Sequence, residues 1–571
     1  MACTYPEKAM RLSRCVPILA LVCAPALAQP QTATATDALE VDTSQVIREI
    51  DIDLIDLDRL REAVEGQPGR EPLRLTLEEC VHLALAHNQE ILVIEYDAIK
   101  SDADIFSAKG EFDPVFGVNV SYLEAVQQLP PEYRLFGGLS ATEAYRTQAA
   151  ATLSGKLQTG ALYNLQFDLS EDQNTYNAFR EERTGNLTLT MSQPILRGRG
   201  KTVNRARIRM AECAQGASEE QLRVVVMQTV AEVVKAYWDL VGAVESVRVR
   251  SESLANAERL LETSAKRLDI GTAAAIEVLQ AKAGVAMRQS DLIAARSTVR
   301  DAEDMLKTLL DMRDDGVFSN KRLVPVDRPE IETLDIDQLR KGNESVAHSI
   351  DLALKHRPEI ALAQIEIDTG ELELMRAEDN LKPELNVTGA VTQGGRDEAW
   401  HEMLAGVRDR NDHSWTLGIE ASVPIGNRAA RGAHERARQT LRQSEQRLTK
   451  TKQELMLKVR MAARAVDTSR ILVESNRQSR RLQETNVVAE EKRLRLGLST
   501  SYRVLQIQED LTAAQVQEVQ AQTAHEKALV ELRLAEGVIL DELGIAFDPP
   551  PPASPIAYGE SIRPDGVRSR P

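Results

Sequence analysis

The residue types that ordinarily carry chemistry are few in this chain, and they are badly spaced. His82 and His87 are five apart, off the i, i+4 spacing that puts two metal ligands on one helix face. His348 and His356 are eight apart, with no acidic or cysteine partner at ligand spacing. All eight histidines therefore read as surface or interhelix packing residues. No glycine loop of the phosphate-cradling form is present, and no nucleophile motif. Gly198-Arg199-Gly200 reads as flexibility and charge at the start of a helix. The sequence calls for no catalytic residue, no metal and no cofactor, so the energy for any work must come from a partner.

The elements around these residues are rods. Pro194 to Leu268 has no internal proline, and its apolar residues recur at helical spacing through Leu222, Val225, Val226, Val230, Val233, Val234, Tyr237, Trp238 and Val241. Val247, Leu254, Leu261 and Leu268 then fall seven apart, a seam that winds helices together. Such a rod would run roughly 110 Å, far more than a compact core needs and suited to a wall or conduit. Pro424 to Leu494 is its twin. Aromatic residues are only 4% of the 571, which fits long helices better than a globule. The net charge of -17 argues against a nucleic-acid partner, because phosphate binding needs basic surface.

The N-terminus has the form of a secretory signal over residues 1–28. A basic start at Lys8, Arg11 and Arg14 precedes the apolar run Val16 to Leu27, and Ala26-Leu27-Ala28 is a small-x-small cleavage site. That run is too short to span a bilayer as a helix. Val22 precedes Cys23 where a lipid-anchor signal wants a small residue. Cleavage would leave two of the five cysteines, Cys80 and Cys213, both on expected helices. They make no disulfide framework and read as small packing residues.

Residues 29–74 are polar and acidic and read as a loosely held arm. A helix is expected over 76–110, opened by the capping box of Thr76 and Glu79. Strand alternation follows over 115–192: Phe116, Val118, Val120 and Tyr122; then Ala149, Ala151 and Leu153; then Tyr163, Leu165, Phe167 and Leu169; then Leu187, Leu189 and Met191. The partners of these residues are uncharged and polar. Each strand is expected to be roughly nine to eleven residues long, the length and pattern of a transmembrane β-strand. A soluble sandwich with one wet face shows the same alternation; the signal and the rods favour a barrel. A long helix over 194–268, a reversal and a helix over 274–311 complete the first half. Residues 315–344 form a linker.

The programme then repeats over 345–543. Leu83-Ala84-Leu85-Ala86-His87 answers to Leu352-Ala353-Leu354-Lys355-His356, and Pro114 to Pro383, at one offset of 269. Further on, Ser192-Gln193-Pro194-Ile195 answers to Ser422-Val423-Pro424-Ile425, and Arg267-Leu268-Asp269-Ile270-Gly271 to Arg493-Leu494-Arg495-Leu496-Gly497. This period is too long for a solenoid repeat, so the pattern reads as a duplicated domain. The second half has a helix over 345–381, two strands within 384–423, a long helix over 424–494 and a helix over 500–543. Four strands and two strands are both even counts, so each long helix starts on the side from which the strands left. Proline marks every helix–strand junction, at Pro114, Pro194, Pro383 and Pro424, where it is welcome in a helix's first turn but not inside it. Residues 544–571 form a Pro-rich tail that reads as disordered.

These features, doubled and in order over Leu75 to Leu543, resemble the outer membrane efflux protein family, the TolC-like trimeric channels. The resemblance implies a mainly α fold with a transmembrane β-barrel portion: an antiparallel coiled-coil tunnel with strands contributed to a barrel in outer-membrane lipid. It implies a homotrimer that carries small molecules or proteins passively, as the exit duct of a tripartite efflux or type I secretion system. A periplasmic adaptor protein would dock at the two reversals, Leu268, Gly271 and Thr272, and Leu494, Gly497, Leu498 and Ser499. An inner-membrane pump would act through it. Relatives carry pore-constricting aspartates where this chain has Glu277 and Gln280, and Arg503 and Gln506; an Arg503–Glu277 ion pair would close the tip here. Family barrels have four strands per protomer against six counted here, so Gln148 to Ser170 either joins the barrel or forms an extracellular hairpin. The competing readings are a periplasmic structural coiled coil and an adaptor protein.

Overall fold

The computed structural model describes residues 72–129, 141–271, 275–314, 317–318, 321–328, 342–409 and 412–546. The expected signal peptide, nearly all of the arm and almost all of the tail lie outside these residues, as does Thr272. In chain order the elements are β1 (Pro72–Leu75), α1 (Leu77–His87), α2 (Gln89–Lys109), β2 (Val115–Gln128), β3 (Ala141–Lys156), β4 (Leu162–Asn174), β5 (Glu182–Pro194), α3 (Lys201–Asn204) and α4 (Ala206–Asp269). Then come α5 (Ala275–Leu309), β6 (Arg313–Asp314), β7 (Val317–Phe318), β8 (Arg322–Pro325), α6 (Gly342–His356), α7 (Pro358–Asp379), β9 (Glu384–Asp397), α8 (Trp400–Asp409), β10 (Asp412–Ser422), α9 (Arg428–Arg495), α10 (Ser501–Glu536) and α11 (Ile539–Glu542).

The rods are α4 and α9, of 64 and 68 residues, about 100 Å each. Beside α4 lie α2 at one end and α5 at the other; α7 and α10 likewise stack between α4 and α9. Two shorter helices thus make up each remaining column, and the order across the wall is α2/α5, α4, α7/α10, α9. The stacking explains a break that periodicity did not reveal. The expected helix over 76–110 is two helices, because Asn88 caps α2 with its side-chain oxygen and donates its amide to Leu309 O at the end of α5. The expected helix over 345–381 breaks at Arg357, 269 residues on, where the guanidinium donates to Leu534 O near the end of α10 and Pro358 opens α7. At both places an upper helix must be re-aimed over the end of a lower one.

Two junction prolines differ from expectation. Pro194 is the last residue of β5 and not the first of a helix. Gly198 and Gly200 have positive φ and turn the chain before α3, so the rod proper begins at Ala206. Pro424 lies between β10 and α9, with Gly426 and Asn427 at positive φ just ahead of Arg428. Pro114 and Pro383 stand immediately before β2 and β9.

The core lies part-way along the rod, where the densest apolar run of α4 meets β1, α1 and the ends of α5 and α10. Residues 72–74, expected in the loose arm, form β1 together with Leu75 and pair in parallel with β8, which lies in the expected linker. Tyr237, fully buried, ties this join together. Its hydroxyl donates to Asp327 Oδ2 at 2.8 Å and accepts from the Val326 and Asp327 amides at 3.2 and 3.1 Å. Trp238 packs edge-on against Tyr237. Cys80 is buried in this core, and burial pushes its thiol up to about 12, so it is an inert packing group. Thr76 and Glu79 form the reciprocal capping box of α1.

Candidate functional site

Two parts of the molecule are candidates for a functional surface: the sheet at one end of the rods and the hairpin tips at the other. The sheet has six strands in the order β10-β9-β5-β4-β3-β2, all neighbours antiparallel. Gln148 to Ser170 lies within β3, β4 and their turn, so that hairpin belongs to the sheet. The strands have 11 to 16 residues, longer than the alternation alone suggested. Register puts the apolar series on one face. Phe116 is opposite Leu153, which is opposite Leu165, then Leu189, Val391 and Trp415. The next row along is Val118, Ala151, Phe167, Leu187, Gln393 and His413. The other face carries Asn119, Thr152, Gln166, Thr188, Thr392 and Ser414.

The apolar band runs obliquely to the hydrogen-bonded rows. Its centre is near Asn119 on β2 and near Gly418 on β10. Followed through register, Gly418 maps to Thr388, Ser192, Leu162 and Lys156, and so to the level of Asp113 on the β2 side. The band drifts by six residues in five strand steps, or about 4 Å per step of about 4.8 Å. Levelling it in a slab of lipid tilts the strands by about 40°, within the range of closed barrels. Among the described residues no helix is long and apolar enough to cross a membrane.

At the opposite end both rods stop in the same way. Gly271, at φ 79°, returns its N–H to Leu268 O at 2.8 Å. Gly497, at φ 76°, bonds Leu494 O, and the Leu498 N–H reaches back to Arg493 O. Both are glycine C-caps, which need the left-handed conformation. Thr500 caps α10 through the Arg503 N–H. Leu494 is buried with Ala257, Leu260, Val504 and Leu505, a small core that joins the two hairpins. Ile270, Leu496, Leu498 and Tyr502 are all more than half exposed, leaving an apolar surface on the tips.

The expected ion pair between Glu277 and Arg503 is not formed within the chain. The Glu277 carboxylate accepts instead from Ser501 Oγ at 3.1 Å, and Ser501 meets Ser264 Oγ at 3.1 Å. Arg503 donates to Gln506, one turn on along its own helix, because it points away from α5 on the exposed side of α10. Gln280 is half-buried on α5. The hairpins are therefore joined by hydroxyls: α4 through Ser264, α10 through Ser501, α5 through Glu277. Further from the tip, Arg288 of α5 is buried and donates to Ser253 Oγ and to Leu505 O, while Thr512 also donates to Ser253. Burial pulls the Arg288 pKa below the usual guanidinium value. Serines and a buried arginine carry no spacing signal, and sequence reasoning missed them. Glu490 accepts from Ser499 and Arg493, and the Ser499 hydrogen bond, with Arg493 beside it, holds that carboxyl below its ordinary range.

The sequence matches the outer membrane efflux protein family over residues 138–311 and 349–538, well over half of the chain. The chain belongs to that family. It is 24% identical over 373 residues to the outer membrane efflux protein BepC of Brucella suis, an alignment covering 63% of this chain and 74% of BepC. It is 26% identical over 330 residues to the pyoverdine export outer membrane protein OpmQ of Pseudomonas aeruginosa, covering 56% of this chain and 64% of OpmQ. Its fold is like that of the Campylobacter jejuni CmeC outer membrane channel, with a TM-score of 0.58 at 15% identity over 81% of this chain and 86% of CmeC. For VceC of Vibrio cholerae the TM-score is 0.57 at 16% identity, over 81% and 96% of the two chains. BepC is named an outer membrane efflux protein, OpmQ a pyoverdine export outer membrane protein and CmeC an outer membrane channel. As a member of the family, this protein is an exit duct of the outer membrane that extends into the periplasm.

Proposed function

We propose that three copies of this chain close into one duct of a tripartite efflux system, with a periplasmic adaptor docked on the tips and an inner-membrane pump acting through it. The supporting observation is the six-stranded sheet with one apolar face and, among the described residues, β2 and β10 as its edge strands. An open edge is not tolerated in lipid, and an edge pair of this kind is satisfied by β2 of one copy meeting β10 of the next. Three copies bring eighteen strands. At about 4.8 Å between strands and about 40° of tilt, the ring would be about 35 Å across. Twelve helical columns at 8–10 Å spacing give a ring of about the same width. Six strands per protomer, against the family's usual four, thus match the barrel to the tunnel below it. The half-chains, each a helix, strands, long helix and helix, read as one duplicated unit.

The outward flanks of the wall favour the same assembly. Leu457, Met461, Leu472 and Leu482 on α9, and Tyr96, Phe106, Met287 and Met305 on α2 and α5, are all more than half exposed. Among the described residues these are the two end columns of the wall, so a ring would bury one against the other. At the tips, exposed Ile270, Leu496 and Leu498 beside Gly271, Gly497 and Ser499 offer an apolar docking surface for the adaptor, and the Glu277–Ser501–Ser264 bridge holds the hairpins together in the closed duct. Planar-bilayer recording on the purified protein tests the reading, together with the mass of the detergent-solubilised particle. Discrete channels from a particle of three chains are expected. A soluble single chain with no affinity for detergent would overturn the proposal.

A further inference from the structure

The segment joining β9 to β10 holds an amphipathic helix, α8, that conduit function does not require. It packs on β9 and β5. Its position on the sheet follows from what it touches. A Cβ on Gly395 would lie 2.2 Å from Met403 O and 2.7 Å from Val407 N, and one on Gly185 would lie 2.4 Å from Met403 Sδ. Gly395 and Gly185 are register partners, on the same face as Leu187, Leu189 and Val391. The helix therefore lies on the apolar face, over a patch where two strands present bare backbone. Gln393, a polar residue within the apolar series, donates its amide to Val407 O at 2.8 Å, so the helix also satisfies a group that lipid would leave unpaired.

Met403 and Val407 are buried against the sheet. Trp400 and Leu404, one turn apart on the flank, remain 39% and 45% exposed. The opposite flank carries exposed Glu402 and Asp409, and exposed His401 and Arg408 lie on the side away from the sheet. Arg183, at the outer end of β5, lies 5.3 Å from the centre of the Trp400 ring. β9 leaves the helical rods at Glu384 and reaches α8 after Asp397, so α8 sits at the end of the sheet remote from the periplasm.

We propose that α8 is an interfacial helix embedded in the outer leaflet, with Trp400 and Leu404 in contact with lipid and His401, Glu402 and Arg408 among the headgroups. The proposal rests on the reading that the sheet's apolar face meets lipid. The occupant is lipid because the exposed flank of α8 is continuous with that face, and because tryptophan with an apolar partner on one side and charge on the other is the pattern of a helix lying in a membrane interface. The helix extends the apolar band where Gly185 and Gly395 interrupt it.

Tryptophan quenching tests this on the full-length protein in dioleoylphosphatidylcholine vesicles, with and without bromine on the acyl chains. The chain has three tryptophans, Trp238, Trp400 and Trp415. Trp238 is core; Trp415 lies on the lipid-facing band. Comparison of the wild type with Trp400→Phe and Trp415→Phe isolates each emission. The proposal predicts that brominated lipid removes the Trp400 emission and that aqueous acrylamide reaches it poorly, with bromine near the headgroup more effective than bromine near the chain end. Quenching of Trp415 with Trp400 open to acrylamide and untouched by bromine would overturn the interfacial helix and leave the barrel reading standing. If neither is quenched, both fall. A Leu404→Trp reporter in the Trp400→Phe background must give the same answer as Trp400, which guards against a local effect of the ring on Arg183.

Discussion

Replacing Ser501 by alanine removes one oxygen from the tip and separates two explanations of closure. The Ser501 hydroxyl is fully buried and bridges Ser264 of α4 to Glu277 of α5, at 3.1 Å on both sides. Without it the buried Ser264 hydroxyl loses this partner, whereas Glu277, only half-buried, can turn to water. Leaving one buried polar group unsatisfied costs about 1–3 kcal/mol. If opening the duct parts these helices, Ser501→Ala raises the ratio of parted to joined tips by about tenfold for each 1.4 kcal/mol. The assay is closed-state conductance of the purified protein in a planar bilayer. Ser501→Ala and Glu277→Ala are expected to leak more than the wild type, and Arg503→Ala to leak about as little, since Arg503 donates to Gln506 on an exposed helix face, where such contacts are worth little. An unchanged leak in the Ser501→Ala protein, or a larger leak from Arg503→Ala than from Ser501→Ala, would refute the hydroxyl bridge as the element that holds the tip shut.

Tyr237→Phe keeps the ring and deletes a hydroxyl that serves Asp327 and two backbone amides; it should destabilise the β1–β8 join by about 1–3 kcal/mol, read as a lower thermal midpoint with channel conductance intact. Gly242→Ala would set a Cβ 2.8 Å from the Thr523 methyl, and such overpacking costs about 1–3 kcal/mol; adding Thr523→Ser, which removes that methyl, should restore the midpoint. Glu490 has its pKa lowered in the folded protein, so its contribution is complete above the unfolded carboxylate value and is lost as pH falls through the folded one. Amide exchange at Gly497 and Leu498, corrected for intrinsic rate, should therefore speed up at acid pH, and Ser499→Ala should move that onset to higher pH.

How much was legible depended on whether an element's pattern reports its own environment. The tip glycines could be found in the sequence because Gly271 and Gly497 each close an Arg-Leu-x-x-Gly run at the end of a long proline-free rod, and a helix end needs a left-handed residue wherever it occurs. The bridge between the hairpins could not: Ser264 and Ser501 are 237 positions apart and resemble any other serines in a polar helix. Arg503 looked like the partner of Glu277 because the two occupy matching places after matching reversals, yet the rotation of α10 turns Arg503 outward and Ser501 inward. The breaks at Asn88 and Arg357 were hidden for a similar reason, since the apolar spacing continues through them and only the end of a second helix, brought alongside by the fold, makes a break favourable.

The sequence by itself determined the rods, the strands and their two faces, because alternation by two and recurrence near 3.6 are local consequences of backbone geometry. It also determined the proline-marked exits at Pro114 and Pro383. Tertiary structure decided where the rods begin, which polar groups lock the tips, that residues 72–75 join the body as a strand, and that a helix covers Gly185 and Gly395. Each of those depends on atoms brought together from distant parts of the chain, and contacts of that kind leave no period in the sequence.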